Sequence, residues 1–137
     1  MTNSTGQCLC GSIKYSISKP AIRSTVCHCL SCQKSSGSAF SINICIPAEA
    51  FNISGDTLKR YTSIGGSGKS LHRYFCHTCG APIYSKPDAL SGLIIVKAGT
   101  LDDTSEFSPV ANIWCDSKME WLKHEHQMLD FEKMPSS

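Results

Sequence analysis

The chain has 137 residues with 41% hydrophobic content, and its formal net charge is +2. This length fits one domain over residues 1–137, and the near-neutral charge without a basic run argues against a nucleic-acid partner. The longest aliphatic run, residues 93–96, is too short to cross a membrane, so we expect no membrane association. The first seven residues lack the basic and apolar regions of a secretory signal, and we therefore expect a cytoplasmic protein.

Alternating apolar residues and frequent turn signals predict a mainly β chain. The first predicted strand covers residues 10–17 and places Ile13, Tyr15 and Ile17 on one buried face. Further strands are predicted over residues 39–46, 51–54, 58–61, 71–75, 83–84, 93–98 and 112–115.

Three other segments of the chain have distinct predictions. Residues 30–36 predict a short helix that ends at Gly37, and its first turn would lie beside neighbouring cysteines. The glycine-rich residues 65–68 predict a flexible loop, where Lys69 or the following Arg73 could meet a carboxylate. The tail over residues 119–134 fits either an amphipathic helix or an irregular flap over the sheet.

Cysteine placement carries the strongest functional signal in this sequence. Nine cysteines in a chain without an export signal favour metal binding over disulfides, because the cytoplasm keeps thiols reduced. Seven of the nine lie in three short clusters. The first cluster is Cys8 and Cys10, the second is Cys27, Cys29 and Cys32, and the third is Cys76 and Cys79. Two tetrahedral zinc ions need eight ligands, so seven thiols leave one position for water or substrate. The sequence therefore predicts two zinc ions, one structural and one with an open position.

The distribution of the clusters between the two ions follows from their glycines. Glycine comes directly after two clusters, at Gly11 and Gly80, where it permits a tight turn toward a metal. The economical partition joins these two clusters in a closed four-thiolate site and leaves Cys27, Cys29 and Cys32 with the second ion. A histidine could instead close the second site and make it structural. The candidates are His28, His72, His77, His124 and His126, of which the first could also act only as a hydrogen-bonding neighbour of the metal.

Several conspicuous residues outside the clusters have simpler interpretations. Cys45 and Cys115 stand in predicted strands, and we expect both in the core, where a thiol behaves as a small hydrophobe. We expect Trp114 and Trp121 in the core or in a pocket wall rather than in catalysis. The pair Asp102-Asp103 is typical of turns and caps.

Five segments together resemble the glutathione-dependent formaldehyde-activating enzyme family, which shares its domain with centromere protein V. They are residues 6–11, 27–37, 73–80, 98–102 and 113–121, in the order that the family has them. The resemblance covers nearly the whole chain, and seven cysteines in three spaced clusters make it specific.

The resemblance implies a compact fold of several coiled antiparallel β-sheets stapled by zinc. It also implies the ligand sets, with structural zinc on Cys8, Cys10, Cys76 and Cys79 and catalytic zinc on Cys27, Cys29 and Cys32. The implied reaction joins formaldehyde to glutathione as S-hydroxymethylglutathione, a reversible carbon–sulfur lyase step. One position departs from the family, because Asn112 stands where a histidine often precedes the Ile-Trp pair. If that histidine helps to bind substrate, this chain would prefer a different adduct.

Two alternatives to an enzyme remain open at this point. The chain could carry glutathione or another thiol without accelerating a reaction, or it could be a zinc-stapled protein-interaction module. For a glutathione ligand, basic residues that would meet its carboxylates can be named by position only: Lys34, Arg60, Lys69 and Arg73.

Overall fold

The computed structural model describes residues 3–135, without the side chains of residues 125–127. The described residues form ten strands: β1 (Ser4–Gln7), β2 (Lys14–Ile17), β3 (Arg23–Cys27), β4 (Ser41–Pro47), β5 (Phe51–Ser54), β6 (Leu58–Ile64), β7 (Ser70–Cys76), β8 (Pro82–Pro87), β9 (Leu93–Lys97) and β10 (Ala111–Ile113). A single α-helix in this part of the chain, α1 (Leu30–Ser36), connects β3 to β4. Five 3₁₀ segments complete the described elements: Ala48–Ala50, Ala98–Thr100, Thr104–Glu106, Cys115–Ser117 and Glu120–Gln127. None of the described helices has the length and hydrophobicity needed to cross a membrane.

The strands form two open sheets. The smaller sheet has the order β1-β2-β5, and the larger has the order β10-β3-β4-β9-β8-β7-β6. All neighbouring strands run antiparallel except the edge pair β10 and β3, which is parallel. The mainly β prediction is therefore confirmed, with one parallel pair that the sequence did not indicate.

The core is built from the alternating apolar faces of both sheets. Ile13, Tyr15 and Ile17 are all buried, as predicted, although β2 itself begins only at Lys14. The larger sheet contributes a matching set of fully buried side chains: Ile44, Ile46, Ile83 and Val96. Burial of these apolar groups is the main favourable term that holds the two sheets together.

The predicted helix and glycine-rich loop both form. The helix α1 ends at Gly37, whose φ of 65° is the left-handed conformation that glycine adopts at low cost. The Gly37 N–H donates to Gln33 O at 2.9 Å and so closes the last turn. The glycine-rich loop joins β6 to β7 as a hairpin, with a Gly68 N–H to Gly65 O bond of 3.0 Å.

The tail and the last strand differ in part from the sequence predictions. The predicted strand over residues 112–115 already ends at Ile113, because Trp114 turns into the left-handed region with a φ of 58°. In the tail, the 3₁₀ segment Glu120–Gln127 is interrupted at His124, and the residues after it are irregular. Met128, Leu129 and several other apolar tail side chains are exposed, so the tail is no amphipathic helix packed on the sheet.

Candidate metal centres and the thiol cavity

Four thiols from two distant turns meet in the structure. These residues, which we call the four-thiol cluster, are Cys8, Cys10, Cys76 and Cys79, and their sulfurs all lie within 4.8 Å of one another. One pair lies in the turn between β1 and β2, and the other consists of the last residue of β7 and a residue of the turn to β8. Gly11 and Gly80 end these turns with φ values of 81° and 79°, so both need the left-handed region that favours glycine. The cluster therefore links the smaller sheet to the larger one.

The sulfur spacing tests whether this cluster suits zinc. A tetrahedral ion with Zn–S bonds of about 2.3 Å places its sulfurs roughly 3.8 Å apart. The observed distances are 3.6 Å from Cys8 Sγ to Cys10 Sγ and 3.8 Å from Cys10 Sγ to Cys76 Sγ. The four-thiol cluster thus fits a zinc ion in both donor type and geometry.

Neighbouring donors favour the thiolate form of two residues of the four-thiol cluster, Cys76 and Cys8. Cys76 Sγ lies 3.4 Å from Ser12 Oγ and 3.3 Å from Thr57 Oγ1, and these hydroxyls lower the pKa of Cys76 to about 5. Burial raises the pKa of Cys8, but hydrogen bonds from the Ile13 N–H and the Ser12 hydroxyl outweigh it and leave that pKa below its ordinary value. Thiolates are the forms that bind metal.

Three further thiols meet where β3 passes into α1. Cys27 ends β3, Cys29 is the N-cap of α1, and Cys32 lies in the first helical turn. The sulfurs of this three-thiol cluster also lie within 4.8 Å of one another. Cys29 Sγ accepts the Cys32 N–H at 3.2 Å, so the helix cap is itself a candidate metal ligand.

The charge state of the three-thiol cluster is set by its own hydrogen bonds. The Cys32 thiol donates to Cys27 and lowers the pKa of Cys27 to about 5, while the same contact raises the pKa of Cys32. These hydrogen bonds therefore favour one thiolate among the three sulfurs even before a metal cation binds.

A cavity of about 520 Å³ opens onto the three-thiol cluster, and we call it the thiol cavity. Three cations line it, Lys69, Arg73 and Lys97, and none of its described lining residues is an aspartate or a glutamate. Its volume lies in the usual range for small-molecule pockets. The thiol cavity is therefore suited to an anionic ligand of modest size.

Lys97 is the residue of this cavity that the sequence did not reveal. Its Nζ donates to Ser41 Oγ at 2.9 Å and to Asn43 Oδ1 at 3.0 Å, and both partners are buried. Burial lowers the pKa of Lys97. Strand alternation places Lys97 on the face of β9 opposite to the buried Ile94 and Val96. The signal that could have identified Lys97 is its position as a lysine at the end of an otherwise aliphatic strand.

Trp114 forms part of the wall of the thiol cavity. Its ring packs on the β6–β7 loop, with Cζ2 only 3.2 Å from the point where a Cβ on Gly66 would sit. A left-handed φ is unusual for so bulky a residue, and such strain is held in place by surrounding structure. Trp114 lines the thiol cavity, as the pocket-wall prediction allowed, although it is 54% exposed, whereas Trp121 is 46% exposed and lines neither large cavity.

His28 is fully buried and lies in the sequence between two residues of the three-thiol cluster, Cys27 and Cys29. Its Nε2 lies 2.9 Å from Asn112 Oδ1, which can only accept, so Nε2 carries the proton. Its Nδ1 has no partner among the described residues. The Nε2 hydrogen bond connects the residue that follows β3 to the parallel strand β10. Asn112, the residue that differs from the family pattern, therefore contacts a direct sequence neighbour of two candidate ligands.

No histidine among the described side chains joins the three-thiol cluster as a fourth metal ligand. His72 instead bonds to Thr62 and Asp88, while His77 and His124 are exposed. The side chain of His126 lies outside the described part of the chain. Three thiols thus remain the protein ligands that the described structure gathers beside the thiol cavity.

For the remaining residues singled out in the sequence, the structure agrees with some predictions and corrects two. Cys45 is buried as predicted, but Cys115 is exposed, because the chain has already left strand β10 there. Of the basic residues considered for carboxylate binding, Lys34 and Arg60 are exposed and line neither large cavity, so those two suggestions are not supported. Asp103 caps the segment Thr104–Glu106, as the turn prediction implied.

Two open sheets that carry two gathered cysteine clusters define a mainly β protein with candidate zinc sites. Residues 3–117 match the family model described as glutathione-dependent formaldehyde-activating enzyme, and the chain belongs to this family. This confirms the resemblance and supports a glutathione-dependent formaldehyde-activating function.

The comparison with solved structures agrees on the fold. A crystal structure of a Rhodobacter sphaeroides protein superimposes with a TM-score of 0.61 at 16% sequence identity, covering 79% of this chain and 98% of that chain. At this identity the likeness concerns the fold alone. None of the curated proteins matches the chain significantly.

Proposed function

We propose that the protein is a zinc-dependent carbon–sulfur lyase that interconverts glutathione, formaldehyde and S-hydroxymethylglutathione. The three-thiol cluster would hold the catalytic ion, and the four-thiol cluster a structural one. The observation that carries the proposal is the thiol cavity, where three gathered sulfurs face a space lined by cations and by no described carboxylate. Glutathione is an anionic thiol of a size that such a pocket accommodates.

The proposed reaction balances without an oxidant or a reductant. The glutathione sulfur forms a bond to the formaldehyde carbon, and the carbonyl π electrons move to oxygen. The thiol proton ends on that oxygen, which gives the hydroxymethyl group. A zinc ion bound at three thiolates supplies Lewis acidity to such a step.

The chain's own residues would bind and orient the thiol substrate. Arg73 and Lys97 line the cavity and would pair with a glutathione carboxylate. Lys69 is exposed in the β6–β7 hairpin and would meet the second carboxylate. Trp114 lines the cavity and would exclude water from one side of the reacting carbon.

The decisive experiment measures exchange, because addition of thiols to formaldehyde also proceeds without an enzyme. Exchange NMR would follow formaldehyde and its glutathione adduct at equilibrium, with and without zinc-loaded protein. We expect acceleration by the wild type and none by Cys29→Ser. Cys115→Ser is the matched control, since this thiol is exposed and outside both clusters. Normal exchange in Cys29→Ser would overturn the assignment of the catalytic site.

Two other results would identify the alternatives. Glutathione binding without faster exchange would show a thiol carrier, which the same cavity could serve. Absence of glutathione binding in calorimetry would instead favour a zinc-stapled interaction module and would contradict our proposal.

A further inference from the structure

A second large cavity lies beside the thiol cavity and shares Arg73 and Lys97 with it. Its volume is about 580 Å³, and no cysteine is among its described lining residues. Seven of its lining residues are aromatic or apolar: Phe40, Ile42, Tyr61, Tyr74, Phe75, Pro82 and Tyr84. We call it the aromatic cavity. Formaldehyde and glutathione offer no ring to such a wall, so the proposed function leaves this space unexplained.

The wall of the aromatic cavity is held in place by packing. The rings of Tyr84 and Tyr74 stack with centroids 4.4 Å apart and an interplanar angle of 4°. Phe51 packs edge-on against Tyr84 at 4.9 Å. Rings fixed in this way lose little freedom when a flat ligand binds against them, which favours affinity.

The shared cations lack carboxylate partners in the structure. Neither Arg73 nor Lys97 forms a salt bridge within the described residues, and neither cavity has a described aspartate or glutamate in its lining. Arg73 donates a hydrogen bond to Ser63 Oγ at 2.8 Å. Lys97 uses two of its three N–H donors in hydrogen bonds to Ser41 and Asn43. Three thiolates and one zinc ion would carry a single net negative charge, so two cations leave a positive surplus.

We propose that the aromatic cavity binds an aromatic carboxylate. The ring system would lie against the tyrosine and phenylalanine wall, and the carboxylate would accept hydrogen bonds from Arg73 and Lys97. A planar two-oxygen anion matches the donors of a guanidinium and an ammonium group. Because both cations also line the thiol cavity, this ligand would compete with a glutathione carboxylate, a consequence that rests on the proposed function.

The test compares two probes of the same shape and different charge. We would titrate 2-naphthoate and the neutral 2-naphthylmethanol into the zinc-loaded full chain by calorimetry. We expect roughly ten- to hundredfold tighter binding of the carboxylate, since hydrogen bonds to charged groups contribute this much. Lys97→Met keeps most of the apolar stem and should lower the naphthoate affinity toward that of the alcohol, with Arg73 as the remaining cationic partner. Lys86→Met, an exposed lysine on β8, is the matched control and should leave both affinities unchanged.

Several outcomes would overturn the inference. These are no heat with naphthoate, equal affinity of the acid and the alcohol, or unchanged naphthoate affinity in Lys97→Met. If that variant fails to fold by circular dichroism, Arg73→Met replaces it under the same expectation. Glutathione titrated separately distinguishes the two proposals: glutathione binding without naphthoate binding sinks this inference alone, and the reverse pattern sinks the proposed function alone.

Discussion

Tyr15 lies in the core between the two sheets, and its hydroxyl is 2.7 Å from Thr100 Oγ1. Burial raises the pKa of Tyr15 from 10.0 to about 12. The pKa of Tyr15 in the folded protein lies above its value in the unfolded chain. The contribution of the neutral Tyr15 side chain to stability is therefore complete below pH 10 and is lost as the pH rises toward 12. We expect the free energy of unfolding to fall by about 2 kcal/mol across that window through this residue.

Tyr15→Phe is the variant that checks this pH dependence. Denaturant unfolding at a series of alkaline pH values should give a shallower loss of stability than in the wild type. Some loss should remain, because burial also raises the pKa of Tyr84 to about 12. Identical slopes for both proteins would contradict the role of Tyr15.

Gly6 faces Tyr15 across the β1–β2 pair and leaves room for its ring. A Cβ on Gly6 would overlap the end of that ring and approach Thr100 O within 2.6 Å. Since a backbone atom is among the neighbours, relaxation is restricted, and we expect Gly6→Ala to cost at least about 2–3 kcal/mol. Gly99→Ala is the control, because a Cβ there meets nothing within 4 Å. Thermal unfolding of both variants tests this, and equal midpoints would refute the steric explanation.

Elements with a clear apolar alternation were predictable from the sequence. Buried faces of β2 and β9 follow a two-residue period, and α1 carries its glycine stop. The strands β1 and β3 were missed because their residues are largely polar, so neither shows an apolar run. Their strand conformation comes from pairing with neighbours remote in sequence, which no local pattern encodes.

The candidate site also has features that the sequence predicted and features that it did not. Cysteine spacing was sufficient to group the thiols, because ligand pairs two or three residues apart lie within one turn. The partners of Lys97 were not predictable, since Ser41 and Asn43 meet it only through the β4–β9 register. The Asn112 contact to His28 likewise depends on the parallel β10–β3 pairing.

The two thiol clusters connect different numbers of elements, so their loss should have different effects. Cys79 belongs to the cluster that joins the two sheets, and a structural zinc site can supply roughly 10–16 kcal/mol of apparent binding energy. A domain's net stability is only about 5–15 kcal/mol, so Cys79→Ser should leave the protein largely unfolded. Cys29 belongs to a local cluster that closes only short loops. Cys29→Ser should therefore stay folded with one zinc ion and no glutathione binding.

Three measurements separate these two variants. Circular dichroism reports the fold, metal analysis the zinc content, and calorimetry the binding of glutathione. Cys115→Ser serves again as the thiol control and should resemble the wild type in all three. If Cys29→Ser unfolds while Cys79→Ser remains folded, the roles of the two clusters are reversed.

For the whole molecule, we expect two zinc ions that leave at different rates. Four thiolates would surround the ion between the sheets completely, whereas three protein ligands beside the thiol cavity leave a position through which a chelator can attack. A mild chromophoric chelator should therefore remove one equivalent well before the second. Simultaneous release of both ions, or a total near one, would contradict this assignment.

The open edges of the larger sheet, β6 and β10, bear on how the protein avoids aggregation in a crowded solution. An unpaired strand edge can recruit a strand from another molecule, and charged side chains or short length discourage such recruitment. On β6, the consecutive residues Lys59 and Arg60 are both exposed, one on each face of the strand, so two copies meeting at this edge would bring like charges together. The other edge is only three residues long, Ala111–Ile113, which is too short to hold a foreign strand firmly. Each open edge thus carries its own protection against self-association, one by repulsion and the other by brevity.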